Sequence, residues 1–229
     1  MRLEAAEMPG RMASHGPGAT MLVVVSVAAE RRALAHLERS DVALAVTGMG
    51  ALTGARRARD LLGSSRRALI AAGFCGAIDP ALRVGDVIVA ERVVDEMSGE
   101  TFLPDPGLLT ATTGRRGTLV TAARLVRTPA QRARIAGDAC DMESAALARV
   151  AAAAGVPFVA IRAVTDEAGH TLPDFDRLSD AAGRLTPGLG LIYFLTHPRE
   201  VPRLLRLGPA ARRAGRSLAA AVATTLESA

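Results

Sequence analysis

The chain has 229 residues, with 28 basic residues that are all arginine, 23 acids, a formal net charge of +5, and 49% hydrophobic but only 3% aromatic residues. This length carries one sizeable core, and so modest a charge with so few aromatics argues against a nucleic-acid surface. The absence of lysine excludes a Schiff-base mechanism and a lysine-bearing phosphate loop.

In chain order, residues 1–20 contain Pro9, Gly10, Gly16, Pro17 and Gly18 with little periodicity, and read as a disordered leader or an overlong start. Residues 21–229 form the domain. Apolar patterning predicts a strand over 22–27, a helix over 29–38, a strand over 42–46, a helix over 51–62 and a strand over 68–72 that runs into a glycine-bearing loop. A strand over 84–93 follows, then an irregular stretch with Pro104 and Pro106, a strand near 117–121, helices over 128–135 and 143–154, a strand over 156–164 and C-terminal helices. The alternation predicts an α/β fold, a single-domain three-layer sandwich with a mostly parallel mixed sheet flanked by helices. No apolar run reaches the length of a membrane span and the start lacks a signal peptide's apolar centre, so a cytoplasmic protein is expected.

Two acids stand where such a chain passes between elements, the positions at which open α/β sheets hold ligands. Glu143, in Asp141-Met142-Glu143-Ser144, opens an alanine-rich helix, and Asp166 follows the strand ending Ile161-Arg162-Ala163-Val164-Thr165. Singly, the first is explained by the helix dipole and the second by a turn. Together they suggest a carboxylate that accepts from two sugar hydroxyls and an acid that donates a proton. To donate, Asp166 needs a raised pKa, which burial in a pocket poor in cations would give.

With Ala72-Gly73-Phe74-Cys75-Gly76 and Val84-Gly85-Asp86 ahead of these segments, residues 22–169 resemble the nucleoside phosphorylase and nucleosidase superfamily. The resemblance implies that the protein cleaves the N-glycosidic bond of an adenine (purine) nucleoside without a metal or other cofactor. It implies that Asp166 protonates the departing base, that Glu143 grips the ribose with Met142 packed on the sugar, and that Gly73, Phe74, Cys75 and Gly76 line the base pocket. Thr165 precedes the acid. Thr47 and Gly48 fall near the attacking oxygen, Leu125 takes the place of an aromatic against the base, and Glu30 corresponds to the glutamate that positions water. The family's phosphate-binding arginine is replaced by Ala71 and its glycine-rich turn by Ser26-Val27-Ala28, which favours water over phosphate as nucleophile. Arg31, Arg32 and Arg162 remain alternative sources of charge for phosphate.

The arginine-rich stretch from His197 onward and the compact length resemble the hopanoid-associated phosphorylase branch, which implies an adenosyl-hopane lipid nucleoside and a pocket walled by Leu125 and Phe158. A methylthioadenosine, adenosylhomocysteine or futalosine-type substrate is the competing reading. The 197–229 tail reads either as a basic amphipathic surface for peripheral contact with an anionic membrane or as a helix packed on its own domain. The family's habit implies a homo-oligomer. Thr47-Gly48-Met49-Gly50 also resembles a dinucleotide-binding turn, but no acid follows at the next strand to hold a ribose. A nucleoside-binding protein without catalysis is the other alternative. Cys75 and Cys140 read as buried thiols, and of the histidines only His170 lies close enough in sequence to Asp166 to approach a substrate.

Overall fold

The computed structural model describes residues 20–48, 50–62, 66–173 and 201–229, the side chains of 201–204 excepted. The first strand, β1 (Thr20–Val25), is apolar from Met21 onward because both its faces are covered there. Leu22 and Val24 face one hydrophobic cluster, while Met21, Val23 and Val25 face a second across the sheet. Strands β2 (Val42–Val46) and β3 (Arg66–Ala77) flank β1 in parallel, and β8 (Phe158–Asp166) runs parallel to β3 on its far side. Next to β8 lies β4 (Val87–Asp95), antiparallel to it. Parallel to β4 is β6 (Arg115–Thr121), then β7 (Ala139–Asp141), which returns antiparallel to the end of β3. The short β5 (Thr101–Phe102) edges β4. Strands β3, β8, β4, β6 and β7 therefore pair in a closed ring, and β1 and β2 extend from it as an open wing.

Helices cover both faces of the sheet. On one side α2 (Ala51–Leu62) packs with α5 (Ser144–Ala154), which stops at Gly155 in a left-handed conformation. On the other side lie α1 (Ala28–Leu34), α3 (Pro106–Ala111) and α6 (Val201–Ser228), contributing Leu34, Leu108, Leu218 and Val222 to the second cluster. The single turn α4 (Pro129–Arg132) precedes β7.

Several predicted boundaries move. The glycine segment after residue 72 is strand, not loop: β3 continues to Ala77, with Gly73 registered on Arg162 and Gly76 on Asp166. The strand predicted from 84 starts at Val87, after a turn in which Gly85 has φ +92°. The strand placed at 156–164 occupies 158–166, so Asp166 is its last residue rather than the one beyond it. The helix over 128–135 shortens to Pro129–Arg132, and the irregular stretch contains α3, started by Asp105 accepting from the Leu108 amide at 3.0 Å. Residues 1–19 of the predicted leader, and residues 174–200 with the first of the predicted C-terminal helices, lie outside the described residues, whereas Thr20 already belongs to β1. Within 201–228 the packed-helix reading holds: Ala214, Leu218, Val222 and Leu226 face the domain and Arg206, Arg212, Arg213 and Arg216 face outward. No described helix is long and apolar enough to cross a membrane.

Candidate active site

The centre of the site is Arg162, on β8 and 1% exposed. Its guanidinium pairs with Asp141 at 2.7 Å and donates to the Ser144 hydroxyl from Nε at 3.1 Å and from Nη2 at 2.8 Å. Asp141 is itself held by the Thr121 hydroxyl at 2.8 Å and the Ser144 amide at 3.0 Å. Across β3, an added Cβ on Gly73 would overlap Arg162 Nη1 and come within 2.8 Å of Glu30 Oε1, so this position needs glycine for the two side chains to meet over the strand. Glu30, the third residue of α1, turns back to accept from the amides of Ser26 at 2.7 Å, Val27 at 3.0 Å and Phe74 at 2.8 Å. Burial raises the Glu30 pKa, against the pull of Arg162 and these amides.

Glu143 stands at the N-cap position of α5, but its side chain, instead of capping the helix, accepts from the Gly50 amide at 2.7 Å. Gly48 and Gly50 have φ of +88° and +91°, a region that favours glycine, which gives them a purpose other than a dinucleotide loop. Thr47 is fully buried, its hydroxyl donating to the Val25 carbonyl at 3.3 Å. Thr47 Oγ1 and Glu143 Cγ both lie 3.8 Å from where a Cβ on Gly54 would sit. Met142 is half-buried in the bend between β7 and α5. Burial raises the Glu143 pKa; Arg162 opposes this and Asp141 adds to it. Burial also disfavours the Arg162 charge, but Asp141, Glu143 and Glu30 outweigh that and its pKa rises.

At the other end of the paired strands, Asp166 faces Gly76, where a Cβ would lie 2.9 Å from Asp166 Oδ2. The Thr165 hydroxyl donates to Asp166 Oδ1 at 2.9 Å and lies 3.3 Å from the Cys75 carbonyl. Asp166 Oδ2 is ion-paired with Arg132 of α4, itself 1% exposed, which also donates to the carbonyls of Ala77 and Glu167. The pocket poor in cations expected around this acid is therefore corrected: a buried guanidinium sits on it. Burial still raises the Asp166 pKa, with Arg132 and the Thr165 hydroxyl pulling against it. A cavity of about 400 Å³ opens beside the acid, lined by Thr165, His170, Leu172 and Arg206 among others.

Glu30, Gly73, the Phe74 amide and Glu143 are thus gathered around Arg162, and Gly76, Thr165 and Asp166 around Arg132. Leu125 is half-buried in the segment from β6 to α4, next to Val126, whose carbonyl lies 3.5 Å from Arg132 Nη2. Phe158, expected as a pocket wall, instead lies in the core at the opposite end of β8 from Asp166. Cys75 and Cys140 are free and buried, and burial pushes the Cys75 thiol far up and that of Cys140 to about 12. Of the alternative phosphate ligands, Arg31 is an exposed partner of Glu38 and Arg32 faces an outer groove; only Arg162 is in the site.

Residues 13–186 match the family model described as the phosphorylase superfamily. The chain belongs to this superfamily. A 5′-methylthioadenosine/S-adenosylhomocysteine nucleosidase of Shewanella sediminis is 26% identical over 180 residues, 65% of this chain and 78% of that one. The fold is similar to that of the methylthioadenosine/adenosylhomocysteine nucleosidase of Streptococcus pneumoniae solved with 8-aminoadenine, with TM-score 0.72 and 18% identity over 92% of this chain and all of that one. It is also similar to the futalosine hydrolase of Helicobacter pylori, with TM-score 0.70 and 11% identity over 92% of this chain and 98% of that one.

Within this superfamily member, three polar side chains beside the acids were not singled out from sequence as site residues: Asp141, Arg132 and, except as a phosphate ligand, Arg162. Arg162 carried a readable signal, being a lone charge inside the apolar run Phe158-Val159-Ala160-Ile161, where only a paired cation is tolerated. Arg132 carried none, because Gln131-Arg132-Ala133-Arg134 reads as an ordinary solvated helix face.

Proposed function

We propose that the protein hydrolyses the N-glycosidic bond of a purine nucleoside, releasing the base. Water activated at Glu30 attacks C1′ and gives up a proton to that carboxylate. The C1′–N9 electron pair leaves with the base, and Asp166 supplies the proton the base takes up, while Glu143 accepts from the ribose hydroxyls. The spacing supports this arrangement. Gly73, beside Glu30, and Gly76, beside Asp166, are three residues apart on β3, roughly 10 Å at about 3.3 Å per residue. A hydrogen-bonded water in line with C1′ and a base hydrogen-bonded at its far side need a span of that order.

The observation that carries water over phosphate is the occupancy of the amides. Those of Ser26, Val27 and Phe74 converge within 3.0 Å of one carboxylate, so a ready-made anion nest is already filled by Glu30. Phosphate would have to displace a buried acid. An adenine nucleoside with a 5′-thioether substituent, the feature shared by the two compounds in the Shewanella relative's name, is the substrate class to try first, since Phe158 in the core removes one support for a lipid-lined pocket. The test is base release from methylthioadenosine, adenosine and an adenosyl lipid, with and without phosphate. Equal release in both conditions, with free reducing sugar as co-product, is expected; a sugar 1-phosphate that forms only with phosphate would reject hydrolysis.

A further inference from the structure

On the side of the molecule formed by α1 and α6 lies a groove of about 780 Å³ that plays no part in this reaction. Its floor is small: a Cβ on Gly215 would sit 3.0 Å from that of Ala33, and Ala211, Ala219 and Ala223 repeat at the spacing of one helical face. Close packing of the two helices explains the floor. It does not explain the rim, where Arg32, His36, Arg212 and Arg216 stand exposed and no acid lines the groove.

None of these three arginines makes an ion pair or hydrogen bond among the described residues. By contrast, Arg31 and Arg39 near this face, and Arg115 and Arg149 elsewhere on the molecule, each hold a carboxylate. The nearby acids of this region are committed elsewhere, Glu38 to Arg31 and Glu30 to the buried amides. Leu205, 69% exposed, precedes Gly208 by three residues and Arg212 by seven, which puts it on the same face of α6. Unpaired positive charge gathered around an apolar strip is self-repelling, and complementary to a surface that is anionic outside and apolar beneath.

We infer that this face docks on a bilayer containing anionic phospholipid, with the arginines at the headgroup phosphates and Leu205 entering the interface. It narrows the membrane contact that the sequence suggests for the tail, since Leu218 is buried in the domain and Leu205 is exposed. A second copy of the chain fits worse, because a two-fold contact here would set the same arginines against one another. The inference stands independently of the proposed chemistry.

The test is co-sedimentation of the full chain with vesicles of phosphatidylcholine alone and of phosphatidylcholine mixed with phosphatidylglycerol. Binding is expected only to the mixed vesicles and should fade as salt is raised. The variant R32Q/R212Q/R216Q should bind on the order of a hundredfold more weakly, from about fivefold per arginine near such a surface. L205A should cost a few-fold. Because all four side chains are exposed, the variants should melt like the parent, which separates docking from folding. The inference is overturned if the parent stays in the supernatant, if pure phosphatidylcholine binds equally, or if the triple variant binds unchanged. It is also overturned if inorganic phosphate at matched concentration displaces the protein, or if the face instead supports a dimer that the substitutions dissolve.

Discussion

Arg162 and Arg132 head the fully buried side chains by size, yet the two ends of the site they occupy have opposite electrostatics. Arg162 is shared among Asp141, Glu143 and Glu30, so negative charge is in excess, which suits the acceptor roles proposed for Glu143 and Glu30. Arg132 faces one carboxylate and a set of carbonyls, so charge there is balanced, around the acid proposed to donate the proton. At the first end a cation lets several acids remain buried together; at the second it sets how tightly a single acid holds its proton.

The substitutions that disturb this contrast most act on the acids. D166N should lower turnover by roughly 10²–10⁴, the usual worth of a positioned general acid, while affinity for a nucleoside analogue changes little. Base release under single-turnover conditions together with titration calorimetry separates the two effects, and turnover close to the parent's would remove Asp166 from the chemistry. E30A should cost a comparable factor in hydrolysis, but it also vacates the amides of Ser26, Val27 and Phe74. Added phosphate should then restore part of the base release with sugar 1-phosphate as product, whereas the parent should not respond.

Removing the cations comes next. R162M leaves Asp141 buried without its partner and should destabilise the fold by about 3–5 kcal/mol. R132M should cost less, because Asp166 can take up a proton, and the loss should depend on pH. With Arg132 gone, burial acts unopposed and the folded pKa of Asp166 climbs further above its ordinary value of 3.8. Below that ordinary value both folded and unfolded chains are protonated there, so the variant lacks only the guanidinium contacts. As pH rises from the ordinary value toward the raised one, the unfolded chain releases its proton and the folded chain does not, so stability falls across that window. The gap in melting temperature between variant and parent should therefore widen from acid to neutral pH. The alkaline limb of turnover should move to higher pH. A fixed limb would mean that Arg132 shapes the loop and leaves the acid alone.

Why one half of this arrangement was legible in the sequence follows from the same contrast. Glu143, Asp166 and Glu30 lie at element boundaries, where hydrophobic patterning breaks and an acid stands out. The alternation of elements similarly exposed the α/β layering. The closing of β3, β8, β4, β6 and β7 into a ring was not readable, since it depends on the three-residue β7, too short to show a period, and on β4 reversing direction against β8. Gly73 and Gly76 read as loop for a physical reason: glycine is depleted from strands unless something approaches the backbone closely, and here the things that approach are Arg162 and Asp166, nearly ninety residues later. Arg132 is hidden most completely, because its burial results from where α4 lies and leaves no trace in its neighbours.

The two glycines give the finest test of the comparison. A Cβ at residue 73 would overlap the Arg162 guanidinium, which cannot retreat because Asp141 and Ser144 hold it, so G73A should destabilise by about 1–3 kcal/mol and impair turnover together. At residue 76 the Cβ would lie 2.9 Å from Asp166 Oδ2, the tip of a side chain, with Arg132 Nη2 at 3.6 Å. A rotation of the carboxylate by a few tenths of an ångström relieves that approach, so G76A should melt within a few degrees of the parent. The same rotation shifts the acid relative to the base, and misplacement on that scale costs catalysis far more than it costs packing. Turnover should therefore fall by roughly tenfold with KM almost unchanged. If G76A instead lost stability and kept its turnover, Asp166 would be anchored for the fold, and the proton would have to come from elsewhere in the cavity, which His170 also lines.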